Sequence, residues 1–427
     1  MDVIYALATA AGRAGIAVVR VSGSGARSCI EPFTGRLPAA GRSLRFLRDA
    51  DRGVLDHALV LTFADGASFT GEEMVELHLH GSTAVVRAVL ALLGGIQGLR
   101  GAAPGEFTQR AMQNGRLDLS QVEGLADLID AETEAQRRQA LRLFSGALGV
   151  KAADWRGRLV RAIALIEATI DFSDEDVPAD VAPEVGLLLG ELIQELRSES
   201  HGVGVAERIR DGFEVAIIGP PNAGKSTLLN RFAGRDVALT SELAGTTRDV
   251  LEVRLDLGGL PVTLLDTAGL GEAQGSLDAL GMERARARAT GADLRIHLLP
   301  LGTDAVLTVV PGDIVVGAKA DLGQGAGLGV SGLTGMGYDE LVQVLAARLS
   351  DLGSGGGIAL NARHREAMME AAHHLDAAAE LLAVDLESLE VVAEEVRSAM
   401  RKIDRLVGSV DAEDILGEIF SRFCIGK

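Results

Sequence analysis

A strand–loop–helix signature near the middle of the chain constrains the fold more than any other feature. Residues 213–227 are FEVAIIGPPNAGKST, in which the apolar run 215–218 predicts a short buried strand. Gly219 follows, and residues 224–226 (GKS) complete the spacing G-x-x-x-x-G-K-[ST] of a phosphate-binding loop. The leucines after the loop predict a helix whose N-terminus adds its dipole to the site. This order predicts an α/β nucleotide-binding domain rather than an ordinary glycine-rich turn.

The loop residues suggest how a polyphosphate would be held. Glycines let the backbone curl so that successive N–H groups converge on an anion. Lys225 is expected to reach the β- and γ-phosphates, and the Ser226 hydroxyl to ligate Mg²⁺. The predicted loop contacts with nucleotide are Asn222, Ala223, Gly224, Lys225, Ser226 and Thr227.

Two segments downstream predict the parts that sense the γ-phosphate. Residues 264–269 (LLDTAG) predict a strand ending in D-x-x-G, whose aspartate can hold the Mg²⁺ shell through water. Residues 245–249 (GTTRD) form a polar loop in which a threonine can close over the γ-phosphate. The predicted contacts are Thr246, Thr247, Asp266, Thr267, Ala268 and Gly269.

A third segment addresses the base. Asp321 can accept from the N1–H and N2–H₂ of guanine, a pair that adenine does not offer, and Lys319 can cover the base plane. Guanine-binding proteins usually carry N-K-x-D here, but Ala318 replaces the asparagine. Backbone N–H groups at Ser331 and Gly332 can approach the base O6. We predict a guanine preference, weakened by about 0.5–3 kcal/mol for the missing hydrogen bond.

Periodicity along the chain predicts a multidomain protein with one domain inserted into another. Residues 1–118 predict an α+β domain, and 119–210 a first helical segment. Residues 211–352 alternate strands and helices, which predicts a parallel α/β sheet, and 353–427 are helical again after a Gly/Ser linker. The α/β unit is therefore expected to interrupt a helical domain made of two separated segments.

Several elements within these segments can be predicted individually. Strands are expected at 16–21, 57–62 and 73–80, a helix at 82–93, and a proline-bearing acidic loop at 171–183. Apolar stripes at helical spacing predict three more helices, through Trp155, Leu159, Ile163, Ile166 and Ile170, through Leu188, Leu189, Leu192, Ile193 and Leu196, and through Leu389, Val392, Val396, Met400, Ile403 and Val407.

Composition narrows the setting of the protein. The 427 residues carry a net charge of −19, which disfavours a protein that grips nucleic acid by bulk charge alone. Basic residues do crowd 137–161; solvated helix faces are the simpler interpretation, with an RNA or partner surface as the alternative. Cys29 and Cys424 match no metal-ligand spacing, and no apolar run approaches the roughly 20 residues of a membrane span. A cytoplasmic protein without a membrane segment is expected.

Several separate stretches resemble the MnmE (TrmE) family of tRNA-modification GTPases. They are DVIYALATAAGRAGIAVVRVSG (2–23), FTGEEMVELHLHGS (69–82), PGEFTQRAMQNGRLDLSQVEGLADLI (104–129), EATIDFSDEDVP (167–178), the phosphate loop, AGTTRD (244–249) and IFSRFCIGK (419–427). The resemblance implies a homodimer with a folate-binding-like N-terminal domain, a helical domain and an inserted GTPase domain. With a flavoprotein of the MnmG (GidA) kind, which carries FAD, such proteins modify the 5-position of the wobble uridine of certain tRNAs. They use 5-formyl-tetrahydrofolate and hydrolyse GTP with Mg²⁺ and K⁺.

Family roles can be assigned to matching positions of this sequence. The implied K⁺ ligands are Asn222, Ser241, Leu243 and Thr246, with Ser241 also near the nucleotide; the Mg²⁺ ligands are Ser226 and Thr247; the folate contacts are Arg20, Glu76, Arg116 and Lys427; and the catalytic residues are Lys225, Thr247 and Asp278. K⁺ would act beside the phosphates as an arginine finger does elsewhere.

The sequence departs from the family pattern at several of these positions. Arg116 replaces a lysine, which keeps the charge but changes the donor geometry. Asp278 replaces a glutamate that orients the attacking water, and it is one methylene shorter, so Glu272 and Glu283 are alternatives. The arginine common after DTAGL is Gly271. Slower hydrolysis is expected.

Other interpretations of the same features remain open. A GTP-controlled ribosome-assembly switch shares the nucleotide motifs, and a folate-dependent one-carbon transferase with a regulatory GTPase shares both halves. Cys424 could be a nucleophile, although packing of the C-terminal helix is the simpler interpretation. His78 and His80 alternate on a predicted strand and have no evident third metal ligand, so strand surface is the simpler interpretation.

Overall fold

The computed structural model describes residues 2–171, 181–234, 252–266, 286–323, 327–384, 388–408 and 426. It divides into two compact units, Met1–Ala126 with Asp404–Lys427, and Asp127–Ile403. The multidomain combination of an α+β part, helices and an α/β part is confirmed. The residue bounds predicted for the individual domains stay predictions.

The first unit contains a six-stranded mixed sheet in the order β3-β4-β5-β2-β1-β6. Its elements are β1 (Val3–Leu7), β2 (Ile16–Ser22), α1 (Ala26–Thr34), β3 (Gly41–Arg48), β4 (Val54–Phe63), β5 (Met74–His80), α2 (Thr83–Gly94), β6 (Leu99–Gly101) and α3 (Glu106–Gln113). Alternation decides the faces: Val19, Val21 and Leu77 are buried in one core with Ile30 of α1 and Val89 of α2. The strands predicted at 16–21, 57–62 and 73–80 and the helix at 82–93 are confirmed.

The second unit contains the α/β sheet predicted from the phosphate loop, in the order β12-β11-β10-β7-β9-β8. Its elements are β7 (Phe213–Ile218), α8 (Lys225–Ala233), β8 (Glu252–Leu257), β9 (Leu260–Asp266), β10 (Leu294–Leu299), β11 (Ile314–Ala318), β12 (Gly329–Val330) and α9 (Tyr338–Leu352). Neighbouring strands are parallel except β8, which pairs antiparallel with β9. Gly258 and Gly259, with φ of 64° and 87°, make the two-residue turn that allows this hairpin, which alternating periodicity did not predict.

Helices account for the rest of the described chain. They are α4 (Leu119–Asp130), α5 (Glu134–Phe144), α6 (Ala147–Asp171), α7 (Ala182–Asp211), α10 (Ala362–Val384) and α11 (Leu389–Leu406). The predicted stripes are largely buried: Trp155, Leu192 and Val396 are inaccessible to solvent. The loop expected at 171–183 is shorter than predicted, since α7 begins at Ala182. Proline is tolerated in a first helical turn, where its missing N–H would have no partner.

The basic residues of 137–161 are engaged with acidic neighbours. Arg137 and Arg138 pair with Glu134 on the same helix, and Arg158 pairs with Glu195 of α7. Solvated, ion-paired helix faces therefore account for this charge without an RNA partner. Within the described ranges, no helix has the length and apolar character needed to cross a membrane.

Candidate nucleotide-binding and folate-binding sites

The phosphate loop follows β7 and leads directly into α8. Gly219 packs so tightly against β10 that a Cβ there would lie 2.3 Å from the Leu298 carbonyl oxygen. Asn222 and Gly224 adopt left-handed backbone with φ of 60° and 99°. These turns aim the chain around a concavity at the N-terminus of α8, the geometry in which backbone N–H groups bind an anion.

Lys225 lies under this loop rather than in solvent. Its side chain is largely buried, and Nζ donates hydrogen bonds to the carbonyl oxygens of Gly219 (2.9 Å) and Pro220 (3.1 Å). Burial lowers the pKa of Lys225 from its ordinary 10.5, against the opposing effect of the Asp266 carboxylate. The ammonium group is thus held by neutral carbonyls, which a phosphate can replace with a stronger charged partner.

Ser226 and Asp266 meet at the end of β9. The Ser226 hydroxyl donates to Asp266 Oδ2 at 2.6 Å, joining residues 40 positions apart. Asp266 is buried, and its Oδ1 has no hydrogen-bond partner among the described residues. A hydroxyl beside a carboxylate with an unused oxygen is the hard-oxygen donor set that suits Mg²⁺ and its water shell.

The base-recognition residues come together because β11 and β12 are neighbours. Ala318, the last residue of β11, lies opposite Val330 and is buried, whereas Lys319 and Asp321 are exposed. Lys319 has a φ of 55°, which turns the chain sharply at this strand end. The Ser331 N–H already donates to the Met336 carbonyl oxygen at 2.9 Å. An approach of this turn to a base O6 would therefore use another N–H.

Arg20 and Glu76 face each other on the first unit's sheet, at paired positions of β2 and β5. Arg20 Nε donates to Glu76 Oε1 at 2.8 Å, and its guanidinium carbon lies 5.8 Å from the centroid of the Phe69 ring. His78 Nε2 lies 3.3 Å from Glu76 Oε2. A paired arginine and glutamate beside an aromatic ring can recognise a flat, polar heterocycle.

Arg116 lies on the other side of the loop that carries Phe69. A Cβ at Gly71, whose φ is 79°, would come within 3.2 Å of Arg116 Cγ, so glycine leaves room for the arginine stem. Asn114 Nδ2 holds the same loop through the Thr70 carbonyl oxygen at 2.7 Å. The loop thereby brings the surroundings of Arg20 and Arg116 together, although the two are far apart in sequence.

His80, the other strand histidine, is tied to a carboxylate. Its Nδ1 lies 2.6 Å from Asp56 Oδ1, and its N–H donates to Asp56 Oδ2 at 2.8 Å. Burial would raise the pKa of Asp56, but hydrogen bonds from His80 and from the His57 N–H outweigh it and lower that pKa. Among the residues that the structure describes, no group of three or more His, Cys, Asp or Glu could hold a metal ion.

Comparison with known families decides the relationship of the chain. The family model of the GTP-binding protein TrmE N-terminus matches residues 3–116, and that of the MnmE helical domain matches 119–424. A protein from Cereibacter sphaeroides is 56% identical over 429 residues, and one from Roseobacter denitrificans is 55% identical over 430, each covering 100% of both chains. Both are named tRNA modification GTPase MnmE. The chain belongs to the MnmE family.

Membership of this family confirms the resemblance seen in the motifs. Among solved structures, Aquifex aeolicus Era bound to GDP·AlF₄⁻ is 26% identical and covers 32% of this chain and 56% of that chain. Its TM-score of 0.23 is too low to support any conclusion.

Several predicted site residues lie outside the described residues, and their roles stay predictions. They are Ser241, Leu243, Thr246, Thr247, Thr267, Ala268, Gly269, Asp278 and Lys427, together with the alternatives Glu272 and Glu283, the departure Gly271, and Cys424.

One residue at the site carries no motif signal in the sequence. Arg231, in the last turn of α8, donates from Nη1 to the carbonyl oxygens of Gly332 (3.0 Å) and Leu333 (3.2 Å). Only the absence of asparagine at position 318 could have prompted a search for such a contact.

Proposed function

We propose that this MnmE-family protein is a K⁺-stimulated GTP hydrolase. With an FAD-containing partner of the MnmG (GidA) kind, it would modify the 5-position of the wobble uridine in certain tRNAs, using 5-formyl-tetrahydrofolate. The observation that carries the hydrolase is the grouping of Lys225, Ser226 and Asp266 where β7 and β9 end. Full-length relatives named tRNA modification GTPase support the tRNA role.

The phosphates would be held by groups that already face the loop. Lys225 would leave the carbonyls of Gly219 and Pro220 for the β- and γ-phosphate oxygens. Ser226 and Thr247 would ligate Mg²⁺, and the unpartnered Oδ1 of Asp266 suits a water of its shell. Bound Mg²⁺ would supply positive charge to the bridging phosphate oxygens.

Potassium would bind at the rim of the same loop. The exposed Asn222, held at positive φ, is the described member of the proposed set; Ser241, Leu243 and Thr246 would complete it. GTP turnover by the purified protein should be faster in KCl than in NaCl, and Asn222→Ala should remove the difference. Asn230→Ala, an exposed asparagine on α8, is the matched control and should keep it. Equal wild-type turnover in the two salts would refute the potassium site.

Hydrolysis would rely on Lys225 and Thr247 for the phosphates and on Asp278 for the attacking water. Asp278→Asn should lower kcat while GTP affinity changes little, because orientation of water acts in the transition state. If Glu272→Gln or Glu283→Gln lowers kcat instead, the catalytic assignment moves to that residue.

The first unit would bind 5-formyl-tetrahydrofolate through Arg20, Glu76, Arg116 and Lys427. Calorimetry with the full chain should show binding that Arg20→Met weakens by about tenfold or more, as loss of a charge-assisted contact would. Arg27→Met removes an arginine paired with Glu73 elsewhere in the unit, so it serves as the matched control. Failure of the wild type to bind this folate would remove the proposed donor.

A homodimer is supported by an apolar strip on the same sheet face as Glu76. The exposed Leu44, Phe46 and Leu59 lie on that face, since Leu44 pairs with Leu59 and Leu59 with His78. Phe46→Asp should shift the mass measured by light scattering from dimer to monomer. The exposed Val150 of α6 gives the matched control Val150→Asp, which should stay dimeric.

Mass analysis of wobble uridines in cells lacking this protein tests the cellular role directly. Loss of the 5-substituent is the expected result. Normal wobble uridines together with association with ribosomal subunits would favour the ribosome-assembly alternative. Product analysis on defined tRNA, with the flavoprotein partner present, separates the proposal from a one-carbon transferase that GTP only regulates.

A further inference from the structure

We infer that Arg231 is a positioning residue for guanine recognition, holding the turn at 331–335 against the phosphate-binding helix α8. In this role it replaces support that an asparagine at position 318 would provide. The inference rests on the proposed guanine-nucleotide site and names a specificity-determining contact within it.

The contact links the two halves of the nucleotide site. Arg231 lies two turns after the phosphate loop on α8, and its Nη1 donates to the carbonyl oxygens of Gly332 at 3.0 Å and Leu333 at 3.2 Å. Those carbonyls belong to the turn that follows β12 and faces the base. A charged donor shared by two carbonyls fixes the orientation of both peptide groups.

The turn is shaped to receive this guanidinium group. A Cβ at Gly335, whose φ is 86°, would fall 2.1 Å from Arg231 Nη2, so any other residue there would displace the arginine. A Cβ at Gly332 would lie 2.8 Å from the Leu228 backbone nitrogen, which shows how closely the turn rests on α8. The Arg231 guanidinium carbon also lies 5.8 Å from the ring centroid of Tyr338, the first residue of α9.

Ala318 explains why such a contact is needed. Its methyl group is buried at the end of β11 and has no polar atom to offer either the base or the phosphate loop. The base-binding turn must then be tied to the phosphate-binding element by another donor, and Arg231 is bonded to both sides of that gap. Phe232, next to it on α8, packs on Tyr338 at 4.9 Å between ring centroids and stiffens the same junction.

The test compares a base-dependent ligand with a phosphate-only ligand. Dissociation constants of GDP, ADP and inorganic pyrophosphate are measured on the full chain by displacement of a fluorescent GDP. Arg231→Met keeps the stem and removes the donors, so GDP affinity should fall by about tenfold or more. Pyrophosphate affinity should change less than about twofold, because the phosphate loop keeps its own bonds. Arg231→Lys should fall between wild type and Arg231→Met.

Two further variants make the result decisive. Arg288→Met removes an arginine that pairs with Glu214 and Glu252 in the same unit, and it should leave all three affinities unchanged. Ala318→Asn should improve GDP affinity more in the Arg231→Met background than in the wild type, since the two side chains would do the same work.

Each outcome distinguishes the inference from the function on which it rests. A wild type that binds GDP no better than ADP overturns the guanine preference, and this inference with it. A wild type that prefers GDP while Arg231→Met keeps the same GDP-to-pyrophosphate ratio overturns the role of Arg231 alone. If Arg231→Met does not fold by circular dichroism, the Arg231→Lys ratio decides: an unchanged ratio refutes the inference, and a lowered one supports it.

Discussion

Glu199 offers a sharp test of how the α/β part is joined to the helical part. This carboxylate on α7 is 7% exposed and accepts the backbone N–H groups of Ile358 and Ala359, just after the Gly/Ser segment that follows α9. Its other oxygen pairs with the Lys151 ammonium of α6. A Cβ at Gly357 would lie 2.4 Å from Glu199 Oε1. The segment expected to be a loose linker is thus held against α7.

The magnitude of this restraint follows from what each substitution leaves behind. Glu199→Gln keeps an acceptor for the two N–H groups but loses the charge opposite Lys151, a cost of about 1–2 kcal/mol because Lys151 is partly solvated. Glu199→Leu leaves two buried N–H groups without an acceptor and should cost about 3–5 kcal/mol.

Hydrogen exchange of residues 353–362 is the suitable assay, because a multidomain chain does not unfold in one step. A loss of about 1–2 kcal/mol should speed exchange of the Ile358 and Ala359 amides roughly 5- to 30-fold in Glu199→Gln. The increase in Glu199→Leu should be larger. Glu191→Gln, an exposed glutamate on α7, is the matched control and should exchange like the wild type. Wild-type exchange in Glu199→Leu would refute the restraint.

The same restraint should depend on pH. Burial would raise the pKa of Glu199, but the Lys151 hydrogen bond and the two backbone N–H groups outweigh it and lower that pKa below the ordinary 4.5. A carboxylate with a lowered folded pKa stabilises fully above its unfolded pKa, and the contribution disappears as the pH falls through the folded value. Protection corrected for intrinsic exchange should therefore fall below about pH 4.5 in the wild type and stay flat in Glu199→Gln.

Three further substitutions test the two sites. Lys225→Met should weaken GTP binding by about tenfold or more, with unchanged circular dichroism; wild-type affinity would contradict the role of its ammonium group. Gly219→Ala places a Cβ against the Leu298 carbonyl and should lower stability by about 1–3 kcal/mol and nucleotide affinity with it, whereas an unchanged melting temperature would show that the loop can shift. Arg110→Met leaves the buried Glu72 carboxylate without its guanidinium partner, so the first unit should lose about 3–5 kcal/mol, measured by denaturant unfolding. Recovery of stability at low pH, where Glu72 is protonated, is expected for Arg110→Met, and its absence would contradict the charge argument.

Local sequence patterns determined the elements and the chemistry of the phosphates. Strand β5 follows from alternation, α8 from the loop that precedes it, and the roles expected of Lys225 and Ser226 from the spacing of a few residues. Such features depend on neighbours within one turn or one strand, where side-chain spacing is set by the backbone period. The family resemblance likewise rests on contiguous motifs.

Only the tertiary structure decided the contacts between distant segments. The Ser226–Asp266 pair depends on β7 and β9 being neighbours in the sheet, and the Arg231 contact on α8 lying beneath the turn after β12. The restraint of the Gly/Ser segment by Glu199 joins positions more than 150 residues apart. Partners at such separations are chosen by packing and burial, which no local period encodes, so the sequence specified a phosphate site while the fold specified how its base-binding half is held.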